Sequence, residues 1–520
     1  MARPNERCCR RCHRNLPGCS CGGGARHTRR SARLLRRDPE PEPEGDGADR
    51  ISALHDDVLL QILSRLGCIH AAARTGLLSR RWRGLWARLP GVVLREVTPG
   101  SLYVALAHIV VRFRPQARRQ PPLSLLDVRA PFYFAFSPHQ ISSLFDAAAA
   151  LQPENLVVHV VADADRPCTL TLPRLDRTKS ITLDVHNISL LPPQDQGQDM
   201  DMPALESLCL RNYDPLLVLR LNKCSALRSL SVSNLRHHNI LIVLPFLEEL
   251  FLLANVRLQH VCIFAPMLKK LTLKARQGVA DHLFLQCLVP KVEDFSWQCT
   301  DHGSHVSFGD IWSLSMVTIK TSEALVQLQH TPRSNMYTLR LNIGECDKVF
   351  VQEGAAPSFQ DYISSLFPVA NDFHFANKFS VLELCISSWG HVYGAMVLHL
   401  LEVYTLIVML KVDLRKVQAR GLCSANCTCI QLNNWRNQTI SLAHLKEVEI
   451  KGVRGEDYDI DMLKVILRSA AMLERVAFTF SLKSEQRIRH FTSKIHSILK
   501  AHPSVECKIY RCSGELVLFA

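Results

Sequence analysis

An α/β fold, in which a small helical trio precedes a solenoid of strands and return segments, is what three features of this 520-residue chain predict. Between Asp49 and Pro90 apolar residues recur at three- and four-residue steps, and between Pro203 and Trp297 one phrase recurs at near-constant spacing. The first 46 residues carry blocked charge and little to bury. A chain this long exceeds one compact domain and suits several units or a stacked array.

Residues 1 to 37 hold eleven arginines against one acid, and residues 38 to 49 hold six acids and no base. With Gly22-Gly23-Gly24 and the Pro-Glu alternation from Pro39 to Glu44, too little apolar area is available to offset chain entropy. Residues 1–46 are therefore expected to form a basic, then acidic, tail without fixed structure. Cys8, Cys9, Cys12, Cys19 and Cys21, with His13 and His27, include C-x-x-C and C-x-C spacings available to zinc. Dense arginine opposes a prefolded cation site, so no metal is expected there. Arg29, Arg30, Arg36 and Arg37 suit nuclear import or nonspecific nucleic-acid contact, without the interleaved aromatics that base recognition needs.

Asp56 and Asp57 sit where a helix N-cap belongs, and Leu59, Ile62, Leu63 and Leu66 then gather on one helical face. Gly67 ends that helix. A second run from Ala71 to Leu78 leads into a third from Arg80 to Leu89, where Trp82, Leu85, Trp86 and Leu89 repeat the spacing. Some forty residues make too small a core to hide every apolar side chain, so part of this surface is expected to stay open to a partner. The alternative is an ordinary helical subdomain packed on its neighbour.

The residues Ile51-Ser52-x-Leu54-x-Asp56-Asp57-x-Leu59-Leu60-x-Ile62-Leu63-Ser64-x-Leu66, Ala73-Arg74-Thr75 and Leu78-Ser79-Arg80-Arg81-Trp82-Arg83-x-Leu85-Trp86 closely resemble the plant F-box. The resemblance implies an F-box over residues 47–95 that binds the Skp-type adaptor of a cullin-based ubiquitin ligase. It carries the adaptor-binding role onto Leu54, Leu59, Ile62, Leu63, Leu66, Leu78, Trp82 and Trp86. The family usually has proline after the first leucine, where this chain has His55; the histidine lacks proline's preset turn, so preorganisation is modestly weaker.

Residues 96–170 are read as a link and first irregular repeats, and 171–430 as the regular array. Its phrase runs Pro203-Ala204-Leu205-x-x-Leu208-x-Leu210, Ser225-Ala226-Leu227-x-x-Leu230-x-Val232, Pro245-Phe246-Leu247-x-x-Leu250-x-Leu252 and Pro266-Met267-Leu268-x-x-Leu271-x-Leu273, with a weaker copy at Pro290-Lys291-Val292-x-x-Phe295-x-Trp297. The copies stand 22, 20, 21 and 24 positions apart, which suits one strand and one return segment per turn. The phrase resembles plant-type leucine-rich repeats, which implies a right-handed α/β solenoid. Alternate strand residues face away from its leucines, so Arg211, Ser231, Phe251, Lys270, Thr272, Lys274 and Gln298 are the candidate target-binding residues. Lys270 and Lys274 suggest an acidic patch on the target. His237-His238 is expected in an inter-repeat loop.

Later strands are expected at Leu339–Ile343, Val381–Ile386, Leu406–Leu414, Leu445–Ile450, Leu473–Phe480 and Val505–Ile509, with helices over Asp461–Ala471 and Glu485–Ala501. Val392 to Val412 is the one apolar run long enough to suggest a membrane span, but His399, Glu402 and Lys411 interrupt it, so a buried helix and strand are expected. The sequence from Trp435 to Ile450, with Gly455-Glu456 and Leu463 to Leu473, resembles the plant FBD domain and assigns 431–512 to it. Cys423, Cys427 and Cys429 form C-x3-C-x-C, which small buried hydrophobes explain about as well as ligands do, and no fourth ligand lies at a convincing spacing for zinc.

Nineteen cysteines spread through a long chain with no apolar leader suit a reducing nuclear or cytoplasmic setting rather than a secreted disulfide framework. No Walker loop, dinucleotide fingerprint, G-x-S-x-G or H-E-x-x-H occurs. The expected function is a non-catalytic substrate-recognition subunit of a cullin ubiquitin ligase, without cofactor or membrane. A non-ligase scaffold, or a nucleic-acid-associated protein using the basic tail, is the alternative.

Overall fold

Short apolar helices and alternating strands segregate along the chain, and the computed structural model shows where each packs. It describes residues 51, 54–113, 123–163, 168–186, 188–191, 202–211, 221, 223–300, 307–308, 312–321, 337–345, 379–388, 390–415, 427, 435–481 and 484–519. The chain divides into two units, Met1–His55 and Asp56–Ala520. Of the first, only Ile51, Leu54 and His55 are described; the tail residues singled out between Cys8 and Arg37 lie outside the described residues.

The second unit opens with α1 (Asp56–Ser64), whose first turn contains Asp56 and Asp57, where carboxylates complement the positive end of the helix. Gly67, at φ +69°, follows it as expected. Next, α2 (Ile69–Arg74) tightens into a 3-10 turn over Thr75–Leu77. The third helix expected over Arg80–Leu89 is instead a run of turns and a 3-10 helix, Leu85–Arg88. Gly84 breaks it by taking φ +83°, a left-handed conformation costly to other residues, with the Arg112 guanidinium 3.1 Å from where a Cβ would stand.

The sheet begins at residue 91, and its first strands run through the 96–170 span read as a link and irregular repeats. Strand β1 (Gly91–Arg95) is followed by α3 (Pro99–Phe113), β2 (Leu125–Arg129), β3 (Ala135–Phe136) and α4 (Pro138–Leu151). Ser137 and Gln140 form a capping box on α4, with Pro138 in its first turn. Then come β4 (Asn155–Ala162), β5 (Cys168–Thr171), β6 (Ser180–His186) and β7 (Ile188–Leu191). These early repeats lack the leucine phrase and are lengthened by full helices, which hides their period.

The regular phrase builds β8 (Ser207–Arg211), β9 (Ser229–Leu235), β11 (Glu249–Ala254), β13 (Lys270–Ala275) and β15 (Asp294–Thr300), while β10 (Asn239–Val243), β12 (Leu258–Phe264) and β14 (Val279–Leu288) return between them. Leu208, Leu230, Leu250, Leu271 and Phe295 stand in register on successive parallel strands, as do Leu210, Val232, Leu252, Leu273 and Trp297. All are buried. Each buried leucine contributes about 2 kcal/mol relative to exposure, so stacking supplies what a single repeat lacks. A period near 21 residues leaves space for a short return strand but not a full helix, and β10, β12 and β14 accordingly pair as a second parallel sheet.

Beyond β15 lie β16 (Ser307–Phe308) and β17 (Trp312–Thr321), then β18 (Tyr337–Glu345), β19 (Phe379–Ile386), β20 (Met409–Leu414), β21 (Glu447–Val453), β22 (Arg475–Phe480), β23 (Glu506–Tyr510) and β24 (Leu516–Phe519). Strand β17 runs antiparallel to both β15 and β18, so the parallel direction resumes at β18 and continues to β23. Its alternation was legible, but it carries no repeat phrase and was not expected. Helices Gly394–Val403, Asp457–Ser469 and Glu485–Leu499 supply the C-terminal returns, as their spacing predicts. The apolar run at 392–412 is the first of these helices followed by β20; among the described residues no helix is long and apolar enough to cross a membrane. The result is a solenoid-like α/β fold.

Candidate functional site

Two surfaces face outward: the helical module and the polar side of the long sheet. In the module, Asp56 is the hub. Arg81 Nε and Nη2 donate to its Oδ1 at 3.2 and 3.1 Å, and Arg88 Nη1 donates to Oδ2 at 2.9 Å. Hydrogen bonding from Arg81, then from Arg88, holds the Asp56 carboxyl below its ordinary range. One side chain thus ties the segment after α2 and the 3-10 helix to the start of α1. Separations of 25 and 32 residues put this hub beyond a spacing argument.

The single apolar face expected of α1 is divided. Leu59 and Leu63 are fully buried with Ile69, Ala72, Leu85 and Leu89, and form the module's own interior. Ile62 is 41% exposed and shares the outer side with Val58 and Leu66, because positions four apart stay together while Ile62 and Leu63 diverge by about 100°. Leu77 and Leu78 are 86% and 73% exposed, and Trp82 and Trp86 are half-buried. The Trp86 ring meets Phe113 of α3 at 6.2 Å. Val58 and Leu77 join the exposed set, which the sequence reading omitted although Val58-x3-Ile62 has helical spacing. Leu54 belongs to the first unit.

On the sheet, Arg211, Ser231, Phe251, Lys270, Thr272, Lys274 and Gln298 all alternate with buried residues and stand on the outward face. Ser231, Phe251 and Thr272 are in register, and so are Lys274 and Gln298. Lys274 Nζ lies 5.7 Å from the centre of the Phe251 ring. Lys270 is an exposed pair with Asp294 at 3.3 Å, which offsets part of the charge expected to meet an acidic target. Toward the C-terminal end the face is charge-matched: Glu383 lies 3.8 Å from Arg340 and 3.7 Å from Lys411, and Glu449 lies 2.9 Å from Lys451. Toward the N-terminal end, Asp184 has His159, His186 and Arg211 within 3.5 Å. Burial, then the Arg129 charge, lowers the His159 pKa against the pull of Asp184. No sequence motif marked this cluster.

His238 is exposed as expected, but in a bend between β9 and its return strand β10 and so within a repeat rather than between two, its Nδ1 donating to the Arg257 carbonyl at 2.7 Å. Cys427 Sγ lies 3.3 Å from His391 Nδ1, while Cys423 and Cys429 lie outside the described residues. Among the described residues no group of three or more His, Cys, Asp or Glu side chains is arranged to hold a metal.

The family model of the F-box domain matches residues 51–93, which cover α1, α2 and the exposed leucines, and that of the FBD domain matches residues 442–478, which cover β21, helix Asp457–Ser469 and most of β22. No curated protein and no solved structure matches the chain. With an F-box domain before the solenoid-like sheet and an FBD domain toward its C-terminal end, the chain matches the F-box and FBD protein type.

Proposed function

We propose that this chain is the substrate-recognition subunit of a cullin-based ubiquitin ligase, docking a Skp-type adaptor through the F-box and a target protein through the open sheet face. The observation that carries the reading is the F-box match over a module whose Ile62, Leu66, Leu77 and Leu78 are exposed while its interior is already filled. Large apolar side chains on a folded surface are the anchors on which interfaces concentrate their energy. The chain contributes proximity: it holds the target near the charged conjugating enzyme, which supplies the chemistry. A nuclear or cytoplasmic setting accords with Cys287, Cys385 and Cys507 being thiols rather than disulfides.

Capture of purified adaptor and cullin by the full chain tests this. Assembly of both supports the ligase reading; adaptor without cullin leaves an interaction scaffold; neither removes the proposal.

A further inference from the structure

Arg95, Arg129, His159, Asp184 and Arg211 stand directly opposite one another on five neighbouring parallel strands, β1, β2, β4, β6 and β8. The acids of this region lie deep. Asp127, with 6% of its side chain exposed, accepts from Arg95 Nη2 at 3.1 Å and Arg129 Nε at 2.9 Å. Asp184, at 12%, is flanked by His159, His186 and Arg211 at 3.4, 3.3 and 3.5 Å. Two recessed carboxylates therefore orient three half-exposed guanidinium groups, and a visiting molecule meets the cations first. With neutral histidines the cluster keeps a net positive charge.

An aromatic turn borders it. Phe132 and Tyr133, 79% and 81% exposed, follow β2 and precede β3, which pairs with the far end of β4 through Ala135 and Val161. Phe132 is edge-on to His186 at 6.4 Å, and Tyr133 meets Phe134 at 4.7 Å. The turn is thus held between two strands while its rings face solvent. Exposed aromatics beside arginine are the side chains in which interface anchors are enriched.

We propose that this end of the sheet is the recognition centre for an acidic segment of the target protein, whose carboxylates meet Arg129 and Arg211 while an adjoining apolar residue packs on Phe132 and Tyr133. This rests on the receptor reading above. Arginine's planar fork matches carboxylate in two-point contact. A nucleic-acid track fits less well, because the same row continues through Ser233 and Leu253, with no cation for successive phosphates until Lys274.

The test uses the full chain and a fluorescein-labelled glutamate–tyrosine copolymer, with a lysine–tyrosine copolymer and an oligothymidylate of similar length as controls, and adaptor capture measured in parallel. Phe132→Ala with Tyr133→Ala, and Arg129→Gln with Arg211→Gln, are the variants. The second pair leaves Arg95 on Asp127 and both histidines on Asp184. Selective binding of the acidic copolymer, weakened at least tenfold by each pair with adaptor capture unchanged and the variants still folded at the assay temperature, supports the proposal. Failure of the unaltered chain to bind it, retention by both variants, or tighter binding of the oligothymidylate overturns it. Loss of adaptor capture by the unaltered chain removes the receptor reading instead, and is read separately.

Discussion

Tyr393 Oη donates to Asp459 Oδ1 at 2.9 Å inside the protein, and thereby joins the start of helix Gly394–Val403 to the first turn of helix Asp457–Ser469. Asp459 Oδ2 accepts the backbone amides of Gly455 and Glu456, each at 3.1 Å, so the carboxylate caps its own helix as well as holding the neighbouring repeat. The Tyr393 and Tyr458 rings meet edge-on at 5.9 Å. Four hydrogen-bonding groups are thus satisfied where two returns of the solenoid meet.

Burial outweighs these hydrogen bonds and pushes the Asp459 pKa up from 3.8 to about 6. Because the folded pKa exceeds the unfolded one, this group's favourable contribution is complete below the unfolded value and is lost as pH rises through the folded one. A shift of this size corresponds to about 3 kcal/mol of stability lost between about pH 4 and pH 6. Denaturant unfolding of the full chain and of Asp459→Asn at both pH values should show that difference largely removed in the variant, even though the variant is less stable throughout. Identical pH dependence in the two proteins would contradict the assignment. Tyr393→Phe should cost about 1–3 kcal/mol by taking a donor from a buried carboxylate.

Gly394 begins the same helix with no space for a side chain. A Cβ there would lie 2.6 to 2.9 Å from three ring carbons of Trp435, a fully buried indole capped by the Arg436 guanidinium at 4.9 Å. Gly394→Ala is expected to destabilise by about 1–3 kcal/mol, as overpacking does, although alanine is the better helix former. Trp435→Leu should relieve the clash and make Gly394→Ala less harmful in the double variant. Simple additivity in a double-mutant cycle would show that the two residues do not meet.

The regular repeats were readable because their signal is periodic: Leu208, Leu230, Leu250 and Leu271 announce a strand, its spacing and its buried side together. The face of Phe251 and Lys274 followed from that alternation. The early strands were not readable, since Val92, Leu126 and Leu156 belong to repeats lengthened by α3 and α4, and no phrase marks them. The α1 residues were read as one face because four leucines and isoleucines at helical steps cover a wide arc, and only tertiary packing decides that Leu59 and Leu63 turn inward. Asp56 is held by Arg81 and Arg88, and Asp127 and Asp184 add Arg95, His159 and Arg211 from neighbouring strands to a same-strand partner two residues on; the cross-element partners are information that no local pattern contains.

Asp56 offers a test of how the module is held. Asp56→Ala removes the shared acceptor of Arg81 and Arg88 and should loosen the 3-10 helix that carries Trp86, lowering both melting temperature and adaptor affinity. Because these pairs are solvent-exposed, salt screens them, so the gap in melting temperature between variant and unaltered chain should narrow in about 1 M salt. A gap of equal size at both ionic strengths would mean that Asp56 acts through something other than charge.

Exposure separates the residues that fold the module from those available to a partner. Leu59→Ala removes a buried side chain and should cost about 2–5 kcal/mol of stability, with adaptor capture falling only as the module unfolds. Ile62→Asp with Leu78→Asp changes two exposed positions, so the melting temperature should stay within a few degrees while a carboxylate replaces each apolar anchor. Desolvating two unpaired charges in an interface should weaken adaptor binding by at least a hundredfold. Calorimetry and adaptor titration on the same preparations distinguish the two effects. If the double aspartate variant binds adaptor as tightly as the unaltered chain, the docking surface lies elsewhere on the module.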